Sequence, residues 1–157
     1  MTKLCLVWVG RERSLEPEAQ LCTRYLKRIK TFLPMEARVV KPFPTGSADV
    51  VQAREGERVV ALLTDRDYLV LLDERGKLLS SPGLAQLIQQ RREAGDPRVV
   101  FAIGGSMGFS PALRQRADFM LSLSQMTLPH ALARVMVLEQ VYRALCINAS
   151  HPYHHEG

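Results

Sequence analysis

Residues 98–130 carry the groups of this chain best suited to chemistry. An apolar run at residues 99–103 ends in Gly104 and Gly105, followed by Ser106, Met107 and Gly108. A second apolar run breaks over residues 121–128 (LSLSQMTL) and stops at Pro129 and His130. Paired glycines do more than turn a chain, because they let backbone N–H and C=O groups approach a flat ligand. In the second run Ser122, Ser124 and Thr127 interrupt the apolar pattern, while Leu123, Met126 and Leu128 offer faces for a ring. Two such loops suggest a pocket at the carboxyl edge of a parallel sheet, with backbone groups bonding an adenine. The competing reading of residues 121–128 is an edge strand that runs into a helix cap.

The C-terminal residues His151, Pro152, Tyr153, His154, His155 and Glu156 gather three of the four histidines. A metal site, a disordered tail and an active-site flap are the three readings. Pro152 spoils helical spacing, and no Cys or His cluster elsewhere completes a metal site, so no metal is expected. As a flap, Tyr153 and His154 would stack on a base and move a proton near neutral pH. No Ser-His-Asp or Cys-His arrangement stands out. Asp73 and Glu139 read as isolated structural carboxylates.

Familiar nucleotide motifs fail here. The 104–108 glycines miss the G-x-G-x-x-G spacing, occur at the fourth strand and lack the GK[ST] of a phosphate-binding loop. That argues against a dehydrogenase or a nucleoside triphosphatase. The formal charge of +5 points to a polyanionic partner. Arg24, Lys27, Arg28 and Lys30 share one expected helix opposite an apolar stripe, and form the basic face most suited to RNA. Cys5, Cys22 and Cys146 are odd in number and sit in apolar patterns, as reduced core thiols do. With no membrane-spanning run and no signal peptide, the expected location is cytoplasmic.

Strand and helix patterns alternate almost throughout, which predicts an α/β fold in one domain over residues 1–157. Strands are expected at 3–9, 37–40, 68–73 and 99–103. Helices are expected from Ser14 and Pro17 through Phe32, over 49–63 with Gly56 as a weak point, and after Ser81-Pro82 and Ser110-Pro111 as N-cap and first-turn pairs. The last helix, residues 130–147, is apolar around most of its circumference. Such a helix is buried or packed on another subunit, and a homodimer is favoured.

Taken together these residues resemble the RlmH family of SPOUT-class methyltransferases, and the match runs over nearly the whole chain. It includes LVWVG at 6–10, EGERV at 55–59, Leu72-Asp73 followed by Gly76-Lys77, FAIGGS at 101–106, LSQMTLPH at 123–130, then Arg134, Val135, Glu139, residues 141–144 and the terminal Tyr153-His154. The resemblance implies a parallel-sheet α/β/α SPOUT methyltransferase fold with a C-terminal trefoil knot, although general topology rules disfavour knots. It implies S-adenosylmethionine as cofactor, held by Leu72, Gly104, Gly105, Leu123, Ser124, Gln125, Met126, Thr127 and Leu128. The implied reaction methylates N3 of a pseudouridine in 23S rRNA of the assembled 70S ribosome, with a homodimer as the working unit. His154 and Tyr153 are then the catalytic candidates, one subunit's tail closing over the other's cofactor. Another SPOUT-class RNA methyltransferase with a different target base, or a non-catalytic ribosome-binding protein, are the alternatives. Where the family usually carries Arg or Lys after Tyr-His, this chain has His155, which weakens an rRNA phosphate contact there.

Overall fold

Residues 1–155 are described by a computed structural model. The elements run β1 (Lys3–Val9), α1 (Pro17–Ile29), β2 (Met35–Val40), α2 (Ala48–Val60), β3 (Tyr68–Leu78), α3 (Ser81–Glu93), β4 (Arg98–Ile103), α4 (Pro111–Arg116), β5 (Phe119–Ser122) and α5 (His130–Asn148). The strands form one parallel sheet in the order β2-β1-β4-β3-β5. Strands buried on both faces read as unbroken apolar runs, which is why β1, β4 and the first half of β3 were legible. Alternate residues serve opposite faces. Leu4, Leu6, Val70, Val99 and Phe101 pack with residues of α1, α3 and α5. Cys5, Val7, Leu69, Leu71 and Val100 pack with Val59 of α2 and Leu113 of α4. The result is a three-layer α/β/α arrangement.

Several sequence expectations need correction. Strand β3 does not stop at Asp73 but continues to Leu78. Its register against β5 shifts, so that Leu121 faces Leu72 and then Lys77, and residues 73–76 form a bulge between the two pairings. The apolar run of 121–128 is a strand only to Ser122; the rest is loop. Ser80, not Ser81, caps α3 by accepting from Gly83 N, which places Pro82 inside the first turn. Ser110 does cap α4, accepting from Leu113 N.

The two loops singled out by sequence are not direct neighbours. Strand β5 pairs with β3 rather than β4, so the end of β3 lies between them. Two loops and the bulge of β3 therefore meet at the carboxyl edge. The apolar helix α5 also has a partner within the chain. It buries Val137, Leu138, Val141, Tyr142, Ala144 and Leu145 in the layer shared with α1 and α3.

Gly56 is not merely a tolerated weakness in α2. A Cβ there would lie 2.7 Å from Ser110 Oγ, the hydroxyl that caps α4. The glycine lets α2 and α4 approach. Gly56→Ala should therefore push the cap aside and destabilise the fold by about 1–3 kcal/mol. Urea midpoints would show it, and adding Ser110→Ala should cost less than the two single losses summed.

Candidate functional site

The carboxyl edge of the sheet encloses a cavity of about 630 Å³. Leu72, Asp73 and Arg75 enter from the end of β3, Ile103 to Gly105 from β4, and Leu123, Ser124, Met126, Thr127 and Leu128 from the loop after β5. Of the residues that the resemblance assigned to the cofactor, all line this cavity except Gln125, which is exposed.

The hydroxyls of the loop after β5 build the loop itself. Ser122 Oγ donates to the Ser124 carbonyl at 2.9 Å, and Ser124 Oγ accepts from Met126 N at 2.9 Å. Thr127 Oγ1 donates to Glu74 Oε2 at 2.8 Å, tying this loop to the bulge of β3. The two bonds within the loop order it without spending its apolar side chains. In the loop after β4 a Cβ on Gly104 would lie 3.1 Å from the Phe109 ring, and one on Gly105 only 2.6 Å from Glu55 Oε1. Gly108, at φ 78°, completes the turn by donating to the Gly105 carbonyl at 3.0 Å.

Tyr153 and His154 do not reach the cavity of their own chain. They fold back along the second half of α5. The Tyr153 hydroxyl donates to Glu139 Oε1 at 3.0 Å, and Arg143 donates to the same carboxylate at 2.6 Å. Arg143 Nη1 lies 3.2 Å from His154 Nδ1, and the Tyr153 ring meets Tyr142 edge-on at 4.7 Å. Burial, then hydrogen bonding with Tyr25 and Glu139, raises the Tyr153 pKa well above the ordinary phenol range. It is a neutral donor, not a base. His155 is exposed, while Glu156 and Gly157 lie outside the described residues.

Glu139 is thus the hub of a cluster rather than an isolated carboxylate. Asp73 is likewise engaged, with Arg75 at 2.8 Å through its backbone N–H and Arg114 Nη2 at 2.7 Å. No spacing rule pairs β3 with α4, so sequence reading missed Arg114 and the role of Asp73. The thiols offer no nucleophile: burial pushes Cys5 up to about 11 and also raises Cys22 and Cys146. Among the described residues no three His, Cys, Asp or Glu side chains are placed to hold a metal, and no helix is long and apolar enough to cross a membrane.

Residues 2–154 match a family model described as "Predicted SPOUT methyltransferase". The chain is 40% identical over 153 residues to Ribosomal RNA large subunit methyltransferase H of Geotalea uraniireducens, covering 98% of this chain and 99% of that protein. The protein of the same name from Trichlorobacter lovleyi is 41% identical over the same shares. Among solved structures, a probable methyltransferase from Bordetella pertussis superposes with TM-score 0.56 at 16% identity, covering 92% of this chain and 96% of that one. A probable methylase family protein from Haemophilus influenzae gives 0.55 at 13% identity, over 98% and 70%. At these identities the two structures share the fold.

Asp73 ties the wall of the cavity to the pH of the solution. Burial would raise its pKa, but the backbone N–H and guanidinium of Arg75, with Arg114, outweigh burial and hold it below the ordinary range. A carboxyl lowered in the folded state adds stability that is complete above its unfolded value of about 4. That contribution is lost as pH falls through the lower native value. Asp73→Asn should therefore be less stable than the parent at pH 7, and the gap should close at strongly acidic pH in urea titrations.

Proposed function

We propose that this chain, which belongs to the RlmH family of SPOUT methyltransferases, methylates N3 of a pseudouridine in 23S rRNA of the assembled ribosome. The observation that carries the reading is the cavity at the carboxyl edge, in a chain matched to the family over residues 2–154. Its volume suits a nucleoside-sized cofactor. Apolar side chains (Leu72, Leu123, Met126 and Leu128) flank it, and the Gly104-Gly105 backbone is bare where a Cβ would collide. These residues, with Ser124 and Thr127, fit S-adenosylmethionine, which when bound supplies an electrophilic methyl group. We read residues 1–157 as one cytoplasmic domain whose C-terminal part is threaded as a trefoil knot.

The chain's own residues then have two tasks. They hold the acceptor in line, and they take the proton that N3 carries at neutral pH. His154 is assigned as the base. Tyr153, a neutral phenol anchored on Glu139, positions the tail. Because both lie away from the cavity of their own chain, the reading includes a homodimer in which each tail serves the partner's cavity. The exposed apolar side chains Met126 and Leu132 support a second copy near the loop. Arg24, Lys27 and Lys30 on the exposed side of α1 are the secondary RNA contacts. Arg28 is partly committed to the Tyr25 and Tyr142 rings, at 5.6 and 5.7 Å.

His154→Ala should cut single-turnover methylation of ribosomes about 10²- to 10⁴-fold while calorimetry shows normal cofactor binding; full activity would remove the assignment. Mixing His154→Ala chains with Leu128→Arg chains, each inactive alone, should restore methylation through mixed dimers. Persistent inactivity of the mixture, with mixed dimers demonstrated, would refute the shared site.

A further inference from the structure

Two cavities adjoin at the carboxyl edge, the one described above and a second of about 620 Å³ that shares Gly105 with it, and Tyr153 and His154 line neither. What holds those two residues is a hydrogen-bonded chain that begins on a different helix. Ser81, at the start of α3, donates from Oγ to Gln140 Oε1 at 2.6 Å. The Gln140 amide donates in turn from Nε2 to Glu139 Oε2 at 2.8 Å. The other oxygen of Glu139 accepts from Arg143 Nη2 at 2.6 Å, Arg143 Nε at 3.0 Å and the Tyr153 hydroxyl at 3.0 Å. Arg143 Nη1 then reaches His154 Nδ1 at 3.2 Å. A second tie between the two helices runs from Asn148 Nδ2 to the Ala85 carbonyl at 3.0 Å. The stretch of α5 that grips the tail is thus pinned to α3 at both ends.

The donor and acceptor roles along this chain are fixed by chemistry. A guanidinium only donates, so the His154 nitrogen it meets must accept, and the neutral ring then carries its proton on Nε2. A carboxylate only accepts, so Gln140 must turn its NH2 toward Glu139, which leaves the amide oxygen for Ser81. The layer that α3 and α5 share is otherwise held by apolar side chains, among them Leu84, Ile88, Leu138 and Leu145. An apolar pair at positions 81 and 140, both half-buried, would join the helices about as firmly. What the polar pair adds is direction, because it fixes the Glu139 carboxylate and with it Arg143, Tyr153 and the His154 ring. Resting on the function and the shared site proposed above, we infer that Gln140, braced by Ser81, is a positioning residue for methyl transfer. It lines neither cavity. It acts through Glu139 and Arg143, setting the orientation and the tautomer in which the tail of its own chain presents His154 to the partner.

Full-length Gln140→Leu tests this, since leucine fills similar space but gives Glu139 Oε2 no donor and Ser81 no acceptor. Single-turnover methylation of 70S ribosomes should slow about 10- to 100-fold, the scale of one lost charge-assisted hydrogen bond. S-adenosylmethionine affinity in calorimetry, the ribosome concentration giving half-maximal rate and the urea midpoint should all match the parent's. Ser81→Ala should slow the same step about 3- to 10-fold, and Ser81→Thr, which keeps the hydroxyl, should restore it. Mixed dimers locate the effect. Gln140→Leu chains mixed with Leu128→Arg chains should recover methylation, because each supplies what the other lacks. Mixed with His154→Ala chains they should not, because both tails are then impaired. A parental rate in Gln140→Leu, with His154→Ala still slow, overturns the inference and leaves the proposed function standing. So does an inactive mixture of Gln140→Leu and Leu128→Arg under conditions where His154→Ala and Leu128→Arg recover, since Gln140 then serves only the fold of its own chain. A parental rate in His154→Ala, or a parent that methylates no ribosomes, refutes the reading beneath it instead.

Discussion

Strand β3 must accept β4 on one side and β5 on the other, and the second pairing is made twice. After Leu72 meets Leu121, residues 73–76 of the strand form a bulge, and Lys77 stands opposite the same residue. That arrangement demands contact so close that a Cβ on Gly76 would lie 2.6 Å from the Met120 carbonyl oxygen. That oxygen is backbone and cannot rotate away, so the position excludes every side chain. The bulge is what puts Asp73, Glu74 and Arg75 between the loops that follow β4 and β5. Without it, the end of β3 would be an ordinary strand end and the cavity would lack its middle wall.

The buried charges divide by whether the chain itself neutralises them. Arg98 donates to both oxygens of Asp67, at 3.1 and 2.6 Å, and to the Leu62 carbonyl at 2.7 Å. It fastens the amino edge of the sheet, and its geometry leaves no donor face for a ligand. Arg134 occupies the opposite edge with only an aromatic face beneath it. A cation–π contact holds a guanidinium in place but leaves its hydrogen-bonding rim unspent. The amino edge is therefore built for stability and the carboxyl edge for binding, as open parallel sheets require.

The alternation of strands and helices was legible because parallel strands buried on both faces are continuous apolar runs, and Ser110 before Pro111 marked its helix start correctly. The second half of β3 was not legible. Residues 74–77 are polar and carry no strand period, since they lie at the sheet's rim, where side chains are partly exposed. Strand order is a tertiary property, so nothing in the spacing of residues 99–128 could place β3 between the two loops. The glycine pair was recognised as a site of close approach, but the group approached, Glu55, lies some fifty positions upstream in the sequence. Motif reading found the first cavity because one segment supplies most of it. It missed the second, whose walls come from β1, α2, α5 and the loop before α2.

The same partition explains how so small a chain could act on RNA. The two cavities share the wall at Gly105, and the carboxylate of Glu55 packs against that glycine. A side chain at position 105 would therefore press on Glu55 within the wall that the cavities share. Tyr153 and His154 line neither cavity and are held on α5 through Glu139 and Arg143. A site completed by a second chain, as proposed above, would stay inactive until two chains meet.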